Sequence, residues 1–264
     1  DGAVRGRVKV ITTTDARSKD LAVTDIQLQK GRPSGDNVVT LLPKQTFQTM
    51  DGFGVAITGS TCYNLMRMTE ANRETFLRET FSDGGDGFGF SYVRVAIGCS
   101  DFSLSEYTCC DTKGIENFSL TEEENRFVIP ILKKILEINP DLKIMGTPWT
   151  PPRWMKTNGD WTSGELKPEC YADYAEYFVR WIKAFAEEGI NIYSVTPQNE
   201  PLNRGNSASC YMPWEQERDF VKVLGPALRR AGLKTKIFAF DHNYNYDNME
   251  SQRGYPTKIY EDPE

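Results

Sequence analysis

The sequence predicts an α/β fold that corresponds to the N-terminal part of a (β/α)8 TIM barrel. From about residue 46 onward, apolar strand-like runs alternate with amphipathic helical segments, and this alternation implies parallel strands joined by right-handed crossovers. Polar residues also follow the carboxyl ends of successive predicted strands. A doubly wound sheet usually binds its ligand at one switch point, so polar residues at strand after strand favour the barrel.

The first 45 residues differ from the rest of the chain, and we expect residues 1–45 to be strands of a β side domain. The stretch "RGRVKVITTTDARSKDLAVTDIQLQKG" alternates and is rich in valine and threonine, as strands are. The run "GRPSGDN" at 31–37 is typical of a turn or short linker. Residues 46–264 are then expected to hold the first five βα units of the barrel.

Five barrel strands are predicted from short apolar runs bounded by glycine, proline or polar residues. They are 49–58, 88–97, 142–148, 191–200 and 235–243. A complete barrel has eight strands, and an open sheet would leave backbone groups unpaired at its edges. We therefore expect the missing strands to come from the remainder of the protein, outside these 264 residues.

Helices are predicted between the strands at 69–82, 119–140, 170–190 and 214–232. Thr69 supplies an N-cap for the first helix, and Asn139-Pro140 ends the second because a residue before proline avoids the helical conformation. The third has aromatic residues at helical spacing and stops at Gly189. The fourth is expected to be interrupted near Gly225-Pro226, because proline lacks a backbone donor.

Composition and charge exclude several classes of function. The formal net charge of −6 offers no basic field for a phosphate backbone, so nucleic acid is not an expected partner. No apolar run reaches about 18 residues, so no membrane span is expected. The chain opens at "DGAVRGRVKV" without an apolar signal core, which leaves an intracellular protein or one whose signal has been removed.

The six cysteines and single histidine give no sign of a metal site. Their spacing provides no ligand pair of the kind that zinc sites use, and Cys109 and Cys110 are adjacent. We therefore expect neither a metal nor a cofactor. The cysteines are either all buried free thiols or include one disulfide, and the spacing leaves both alternatives open.

The stretch "SVTPQNEPLN" ends a predicted strand with Asn199, Glu200 and Pro201. A glutamate at a barrel strand end suits either carboxyl role in glycoside hydrolysis, and a neighbouring asparagine suits a hydrogen bond to the sugar 2-hydroxyl. A polar turn that merely ends the strand is the alternative. Three residues alone do not decide between the two.

Arg94 lies within the apolar strand "YVRVAI", where a guanidinium needs a carboxylate partner. One interpretation is a residue that orients a catalytic glutamate and keeps it ionised. The alternative is a surface arginine on the other face of the strand. Alternation with Tyr92 and Ala96 allows both.

Aromatic residues gather in segments predicted to be loops, which is typical of a cleft for the flat faces of sugar rings. They are Trp149, Trp154, Trp161, Tyr211, Trp214, Tyr244 and Tyr246. Trp149 and Trp154 are candidate stacking platforms in a proline-stiffened loop at 146–161. Packing on the barrel rim is the alternative, and it suits Trp161 better than Trp149.

Three further polar residues follow predicted strands. Asp101 is a candidate for binding paired sugar hydroxyls, or else it caps a turn. Asp241 and His242 lie together at the end of the fifth strand. A lone histidine is more often structural than catalytic, so Asp241 is the stronger candidate for a ligand contact.

Five motifs in order resemble glycoside hydrolase family 30, most nearly its glucosylceramidase and β-1,6-glucanase branches. They are "MDGFGVAITGS", "YVRVAIGCSDFSLSEYTCCD", "NFSLTEEE", "IMGTPWTPPRWMKTNG" and "VTPQNEP", and the similarity runs from about residue 46 to the end. The resemblance implies a retaining glycosidase on a (β/α)8 barrel. It also implies a β-sandwich side domain formed from the N-terminal strands and the C-terminal tail.

The resemblance implies roles for individual residues. Glu200 matches the general acid/base, and Asp241 falls on strand five, which carries substrate contacts in the family. The positions that match the subsite around the cleaved sugar are Arg94, Asp101, Trp149 and Asn199. The family's nucleophilic glutamate is on strand seven, beyond residue 264, so it is not expected among these residues.

The expected function is hydrolysis of β-glucosidic linkages by double displacement in a secreted, periplasmic or cell-surface protein, with β-1,6-glucan as the first candidate substrate. A glucosylceramidase or β-glucosidase and a β-xylanase of the same family are alternatives, although "DFSLSEYT" and "TPWTPPRWMKTNG" are less similar to the xylanase branch. A non-catalytic carbohydrate-binding protein on the same scaffold is an alternative of another class. An intracellular barrel enzyme for a phosphorylated metabolite ranks last, because no phosphate loop is visible.

Overall fold

The fold is described from a computed structural model, which covers residues 6–244 and 249–264. The chain divides into two compact units, residues 1–49 and residues 50–264. Each unit is described separately. No helix in the described ranges is both long enough and apolar enough to cross a membrane.

The first unit contains a two-stranded antiparallel ribbon. Strand β1 (Arg7–Thr12) pairs with β2 (Ala22–Gln27), with Arg7 opposite Gln27 and Thr12 opposite Ala22. Valine, isoleucine and threonine along both strands favour this extended pairing. Two strands therefore lie in the region where strands were predicted, and their assignment to a β side domain stays a prediction.

The second unit contains a five-stranded parallel sheet. Its strands are β3 (Gly54–Ala56), β4 (Tyr92–Ala96), β5 (Lys143–Thr147), β6 (Ser194–Val195) and β7 (Lys236–Ile237). They lie side by side in chain order, each parallel to the next. Parallel neighbours in chain order, joined by helical crossovers, are the arrangement of a TIM barrel, so the predicted fold class is confirmed.

Six α-helices accompany these strands in the described residues. They are α1 (Gly59–Arg67), α2 (Glu70–Phe81), α3 (Ile129–Ile138), α4 (Tyr171–Glu187), α5 (Trp214–Arg230) and α6 (Tyr255–Tyr260). Two of them begin and end close to the predicted positions. The Thr69 hydroxyl caps α2 by accepting the Asn72 N–H at 3.3 Å, and α4 ends two residues before Gly189, which has a φ of +77°.

The apolar stripe of α4 packs into the core as its spacing predicts. Tyr174, Phe178, Trp181 and Phe185 are all fully buried. They recur at intervals of three or four residues and therefore occupy one face of the helix. Burial of four large side chains on one face holds the helix against the sheet.

Two helical features of the structure were not predicted. The short helix α1 was not predicted, although Thr58 caps it by accepting the Thr61 N–H at 3.2 Å. The predicted helix at 119–140 becomes regular α-helix only from Ile129, after a π-helical segment at Glu124–Val128. A π-helical turn has one residue more than an α turn, and periodicity counted on a 3.6-residue repeat does not detect it.

The predicted interruption of α5 near Gly225-Pro226 is wrong. The helix runs without a break from Trp214 to Arg230, with Pro226 inside it. Proline removes one backbone hydrogen bond, but the buried side chains of Phe220, Leu224 and Leu228 attach the helix to the core on both sides of it. Tertiary packing therefore outweighs the local preference.

Alternation along β4 separates two faces of the sheet. Val93 and Val95 are buried in the main hydrophobic core with residues of the surrounding helices. Tyr92 and Arg94 are half-buried on the opposite face, where the Tyr92 hydroxyl lies 3.0 Å from the Ser194 hydroxyl of β6. Because successive strand residues point to opposite faces, Arg94 lies on the face that does not pack against the helices.

All six cysteines are free and buried. The alternative of one disulfide is therefore excluded, and the alternative of buried free thiols holds. Cys109 and Cys110, for example, pack as apolar side chains in the hydrophobic core. Burial raises the pKa of the Cys109 thiol well above its ordinary value, which keeps it in the uncharged, unreactive form.

Candidate active site

The segments that follow the carboxyl ends of β5, β6 and β7 remain hydrogen-bonded to one another beyond the regular strands. The Asn199 N–H donates to the Pro148 carbonyl at 2.8 Å, and Asn199 forms a parallel bridge with Asp241. The Glu200 N–H donates to the Asp241 carbonyl at 2.8 Å. Asn199, Glu200 and Asp241 therefore lie together at the carboxyl edge of the parallel sheet, where TIM-barrel enzymes place their catalytic groups.

Arg94 joins this group through its guanidinium. Its Nη2 donates to Asn199 Oδ1 at 2.8 Å and to Asp241 Oδ2 at 2.6 Å. The guanidinium carbon also lies 4.7 Å from the centroid of the Trp149 ring, within the range of a cation–π contact. The carboxylate partner of Arg94 is thus an aspartate, Asp241, and Arg94 is half-buried rather than a surface residue. That it orients a catalytic glutamate stays a prediction.

Two polar residues that the sequence analysis did not select support the same strand ends. The Thr196 hydroxyl donates to Asp241 Oδ2 at 3.1 Å, and Gln198 Nε2 donates to the Trp149 carbonyl at 2.6 Å. Both side chains are buried. Ser194, Thr196 and Gln198 stand at alternate positions from β6 into the segment that follows it, and this alternating row of polar residues is the signal that could have revealed them.

Glu200 has an unusual backbone conformation. Its φ of +42° lies in the left-handed region, which costs a residue with a side chain about 1 kcal/mol or more. Asn203 Nδ2 donates to Glu200 Oε2 at 2.5 Å, and the Asn203 N–H donates to the Glu200 carbonyl at 2.9 Å. The half-buried carboxylate is therefore held in one orientation by a tight turn that includes its own hydrogen-bond donor.

The remaining two candidates lie in different surroundings. His242 follows Asp241 and is half-buried, and burial lowers its pKa while the negative charges of Glu200 and Asp241 oppose that shift. Asp101 is exposed in the turn after β4. Within the described ranges, its contacts do not join it to the cluster of Arg94, Asn199 and Asp241.

Comparison with known proteins identifies the family. Residues 50–248 match the model of the glycosyl hydrolase family 30 TIM-barrel domain. The chain belongs to glycosyl hydrolase family 30. This match covers the five-stranded sheet, helices α1 to α5 and every candidate site residue named above.

Three known proteins illustrate what this chain is similar to. An endo-β1,6-glucanase of known structure has 61% sequence identity and a TM-score of 0.86, with 96% of this chain and 57% of that chain covered. The lysosomal acid glucosylceramidase of Mus musculus is 33% identical, covering 87% of this chain and 47% of its own length. The endo-1,6-β-D-glucanase of Neurospora crassa is 34% identical, covering 82% and 46%. This chain thus spans about half the length of the curated relatives that it matches.

The aromatic residues of the family 30 chain divide between the site and its supports. Trp149 is buried against Arg94, whereas the Trp154 indole donates to the Cys110 carbonyl at 2.8 Å and packs against the hydrophobic core. Trp161 lies 4.4 Å from the Arg153 guanidinium. Trp154 is thus a packing residue in this structure rather than an exposed stacking platform.

The remaining aromatic residues have no common environment. Tyr211 is half-buried, and the guanidinium carbon of Arg204 lies 3.7 Å from the centroid of the Tyr211 ring. Trp214 is the first residue of α5 and does not lie in a loop. Tyr244 is almost fully exposed. Tyr246 lies outside the described residues. In residues 6–244 and 249–264, no group of three acidic, cysteine or histidine residues is arranged to hold a metal ion.

A buried lysine ties the loops after β5 and β6 together. Lys156 is fully buried, and its Nζ donates to the Asp160 carbonyl at 2.7 Å and to the Ser209 carbonyl at 2.8 Å. Burial lowers the pKa of this amine. The loop after β6 also carries Glu200, so Lys156 connects the loop that holds the candidate acid/base to the loop after β5.

Replacing Lys156 with Met is expected to lower the free energy of unfolding by about 2–4 kcal/mol, because two buried carbonyls would lose their donor. Urea unfolding of the full-length protein measures this effect. Lys183, exposed on α4, provides the control, and its replacement with Met should change stability by less than about 0.5 kcal/mol. A loss below about 1 kcal/mol for Lys156→Met would contradict the role of the buried lysine.

Proposed function

We propose that this chain is part of a retaining β-glycosidase that hydrolyses β-1,6-glucan, with Glu200 as the general acid/base. The proposal of β-1,6-glucan as the substrate is supported by the 61% identity to an endo-β1,6-glucanase, with 96% of this chain covered. The catalytic role rests on the oriented carboxylate of Glu200 at the carboxyl edge of the sheet.

Glu200 acts twice in this reaction. It first protonates the glycosidic oxygen of the departing sugar while a second carboxylate attacks the anomeric carbon, and it then removes a proton from the water that releases the product. The family resemblance assigns the second carboxylate to strand seven, outside these 264 residues. The Asn203 donor at 2.5 Å orients one Glu200 oxygen, which leaves the other for proton transfer.

Arg94 and Asn199 bind and orient the sugar. Asn199 Oδ1 accepts from Arg94, so its Nδ2 is directed away from the guanidinium and is the donor that remains for a sugar hydroxyl. A hydrogen bond of this kind to the 2-hydroxyl strengthens as the transition state forms. Asp241 neutralises Arg94, and Trp149 offers an apolar surface beside it. Asp101 and His242 are proposed to contact more distant hydroxyls of the glycan.

Hydrolysis of β-1,6-glucan, glucosylceramide and β-1,4-xylan by the full-length protein tests the substrate. We expect kcat/KM for β-1,6-glucan to exceed the other two values by at least about tenfold, and the first product detected by NMR to be the β anomer. Release of the α anomer would contradict the retaining mechanism. Binding of the glucan without turnover would favour a carbohydrate-binding protein.

Glucosylceramide hydrolysis is the second candidate function. It is favoured by the 33% identity to the mouse lysosomal acid glucosylceramidase. The candidate residues and the acid/base step would be the same, since both substrates present a β-linked glucose. A higher kcat/KM for glucosylceramide in the comparison above would select this function.

A further inference from the structure

A second glutamate is buried beneath the site and has no part in the proposed reaction. Glu217 lies in the first turns of α5 and is fully buried. Its Oε1 accepts the Phe240 N–H at 3.0 Å, and its Oε2 lies 2.5 Å from the Tyr255 hydroxyl. The same hydroxyl lies 2.6 Å from the Met212 carbonyl.

The number of hydrogens in this cluster decides the protonation state. The Tyr255 hydroxyl has one hydrogen, and the Met212 carbonyl can only accept. If Glu217 were ionised, two acceptors would compete for that hydrogen, and one close oxygen–oxygen contact would have none. A proton on Glu217 Oε2 solves this, because Glu217 then donates to Tyr255 and Tyr255 donates to Met212.

We propose that Glu217 is a buried, protonated carboxylic acid that positions the backbone of Phe240 and Asp241 beneath Glu200. This inference rests on the proposed function, because Asp241 and Glu200 belong to the site described there. The contacts connect them directly. Phe240 has a φ of +57° and gives its N–H to Glu217, and the Asp241 carbonyl that follows accepts the N–H of Glu200.

The electrostatic surroundings agree with a neutral acid. Burial raises the pKa of Glu217 to about 7, and the negative charge of Asp241 acts in the same direction, while the hydrogen bonds that Tyr255 and Phe240 would give to an ionised carboxylate oppose it. Other ionisable side chains on the elements around Glu217 include Glu215, Arg218 and Asp219 on α5, Tyr171 and Tyr174 on α4, Cys210 and Tyr211 before α5, and Tyr255 and Lys258 on α6.

The sign of the pH dependence follows from the raised pKa. The unfolded chain ionises Glu217 near its ordinary value of 4.5, whereas the folded chain keeps the proton up to about 7. Stability from this group is therefore complete below pH 4.5 and is lost as the pH rises towards 7. Above that value the folded protein contains an ionised glutamate, and the hydrogen-bond chain through Tyr255 is broken.

Glu217→Gln is the decisive variant, because an amide donates to Tyr255 and accepts from Phe240 as the neutral acid does. Unfolding of the full-length protein is measured from pH 5 to pH 8. The folding equilibrium constant of the unmodified protein should fall on the order of 50- to 100-fold relative to Glu217→Gln over this range. Glu215→Gln on the same helix is the matched control, and it should follow the unmodified protein. Parallel pH dependences for the unmodified protein and Glu217→Gln would overturn the proposal.

An activity measurement tests the positioning role separately. The ratio of kcat/KM at pH 6 to that at pH 8 should be about tenfold larger in the unmodified protein than in Glu217→Gln, because the variant keeps its donor at both pH values. Equal ratios would contradict positioning of the site by Glu217. If the unmodified protein does not hydrolyse β-1,6-glucan, the proposed function fails, and the stability measurement still decides the protonation of Glu217.

Infrared spectroscopy provides a readout that leaves Glu217 itself unchanged. It uses the Glu200→Gln variant, because Glu200 as the general acid would contribute a protonated carboxyl band of its own. This variant should show a protonated carboxyl band at pH 6 that disappears between pH 6 and pH 8, because ordinary aspartate and glutamate are ionised throughout this range. Absence of that band at pH 6 would overturn the proposal even if Glu217→Gln does not fold.

Discussion

Glu200→Gln in the full-length protein is expected to lower kcat on β-1,6-glucan by about 10³-fold, since general acid–base catalysis contributes on this scale. Glutamine is nearly isosteric but cannot give a proton to the departing sugar oxygen. An aryl β-glucoside whose leaving group needs no proton should lose much less in its first step. Steady-state kinetics on the glucan and burst kinetics on the aryl glucoside measure the two effects.

The matched control for this variant is Glu187→Gln. Glu187 is exposed at the end of α4 and carries the same charge, so its replacement should leave kcat within about twofold of the unmodified value. Undiminished turnover of the glucan by Glu200→Gln would remove Glu200 from the acid/base role. An equal loss on both substrates would instead indicate a general disturbance of the site.

Arg94→Met is expected to lower kcat/KM by about 100-fold and the free energy of unfolding by about 2 kcal/mol. The change would leave the Asp241 carboxylate, only 20% exposed, without its cation, and removal of one partner from a buried ion pair is costly. The stability loss is placed below that of a fully buried pair because Arg94 itself is 24% exposed and water screens part of the charge. Asn199 would also lose the donor that orients its amide. Kinetics and urea unfolding of the full-length protein measure both losses.

A double-mutant cycle separates the ion pair from the loss of packing. The double variant Arg94→Met with Asp241→Asn should lose less stability than the sum of the two single variants, with a coupling of about 1–2 kcal/mol. Arg94→Lys keeps the charge but not the planar fork that reaches two acceptors, so it should recover stability more than kcat/KM. Strictly additive losses would show that Arg94 and Asp241 do not depend on each other.

Local periodicity was sufficient to predict most of the secondary structure. The helices α2 and α4 begin and end near the predicted residues, because Thr69 and Gly189 act on their own helix ends and an amphipathic stripe depends on neighbours three and four residues apart. The same reasoning failed at Pro226. Packing of α5 against the core overrides the local preference of that residue.

The location of the polar residues that follow the strands was predicted better than the length of the strands. The predicted strands at 191–200 and 235–243 contain regular pairing over only two residues each, Ser194–Val195 and Lys236–Ile237. An apolar run in the sequence indicates which residues are buried. The number of residues that pair as a strand depends instead on how far two segments, distant in sequence, remain side by side in the fold. Asn199, Glu200 and Asp241, which follow these two runs, nevertheless reach the same edge of the sheet, because parallel strands direct their carboxyl ends the same way.

The sequence by itself determined the alternation of strands and helices, the family, and the position of Glu200 after its strand, since each depends on residues close together in the chain. Only the tertiary structure decided which side chains meet. Arg94 pairs with Asp241 across 147 positions of sequence, and Glu217 meets Tyr255 across 38. No local sequence pattern encodes such contacts, because the folded state determines which side chains lie within hydrogen-bond distance and how deeply they are buried. Distance and burial in turn determine whether a carboxyl group keeps its proton.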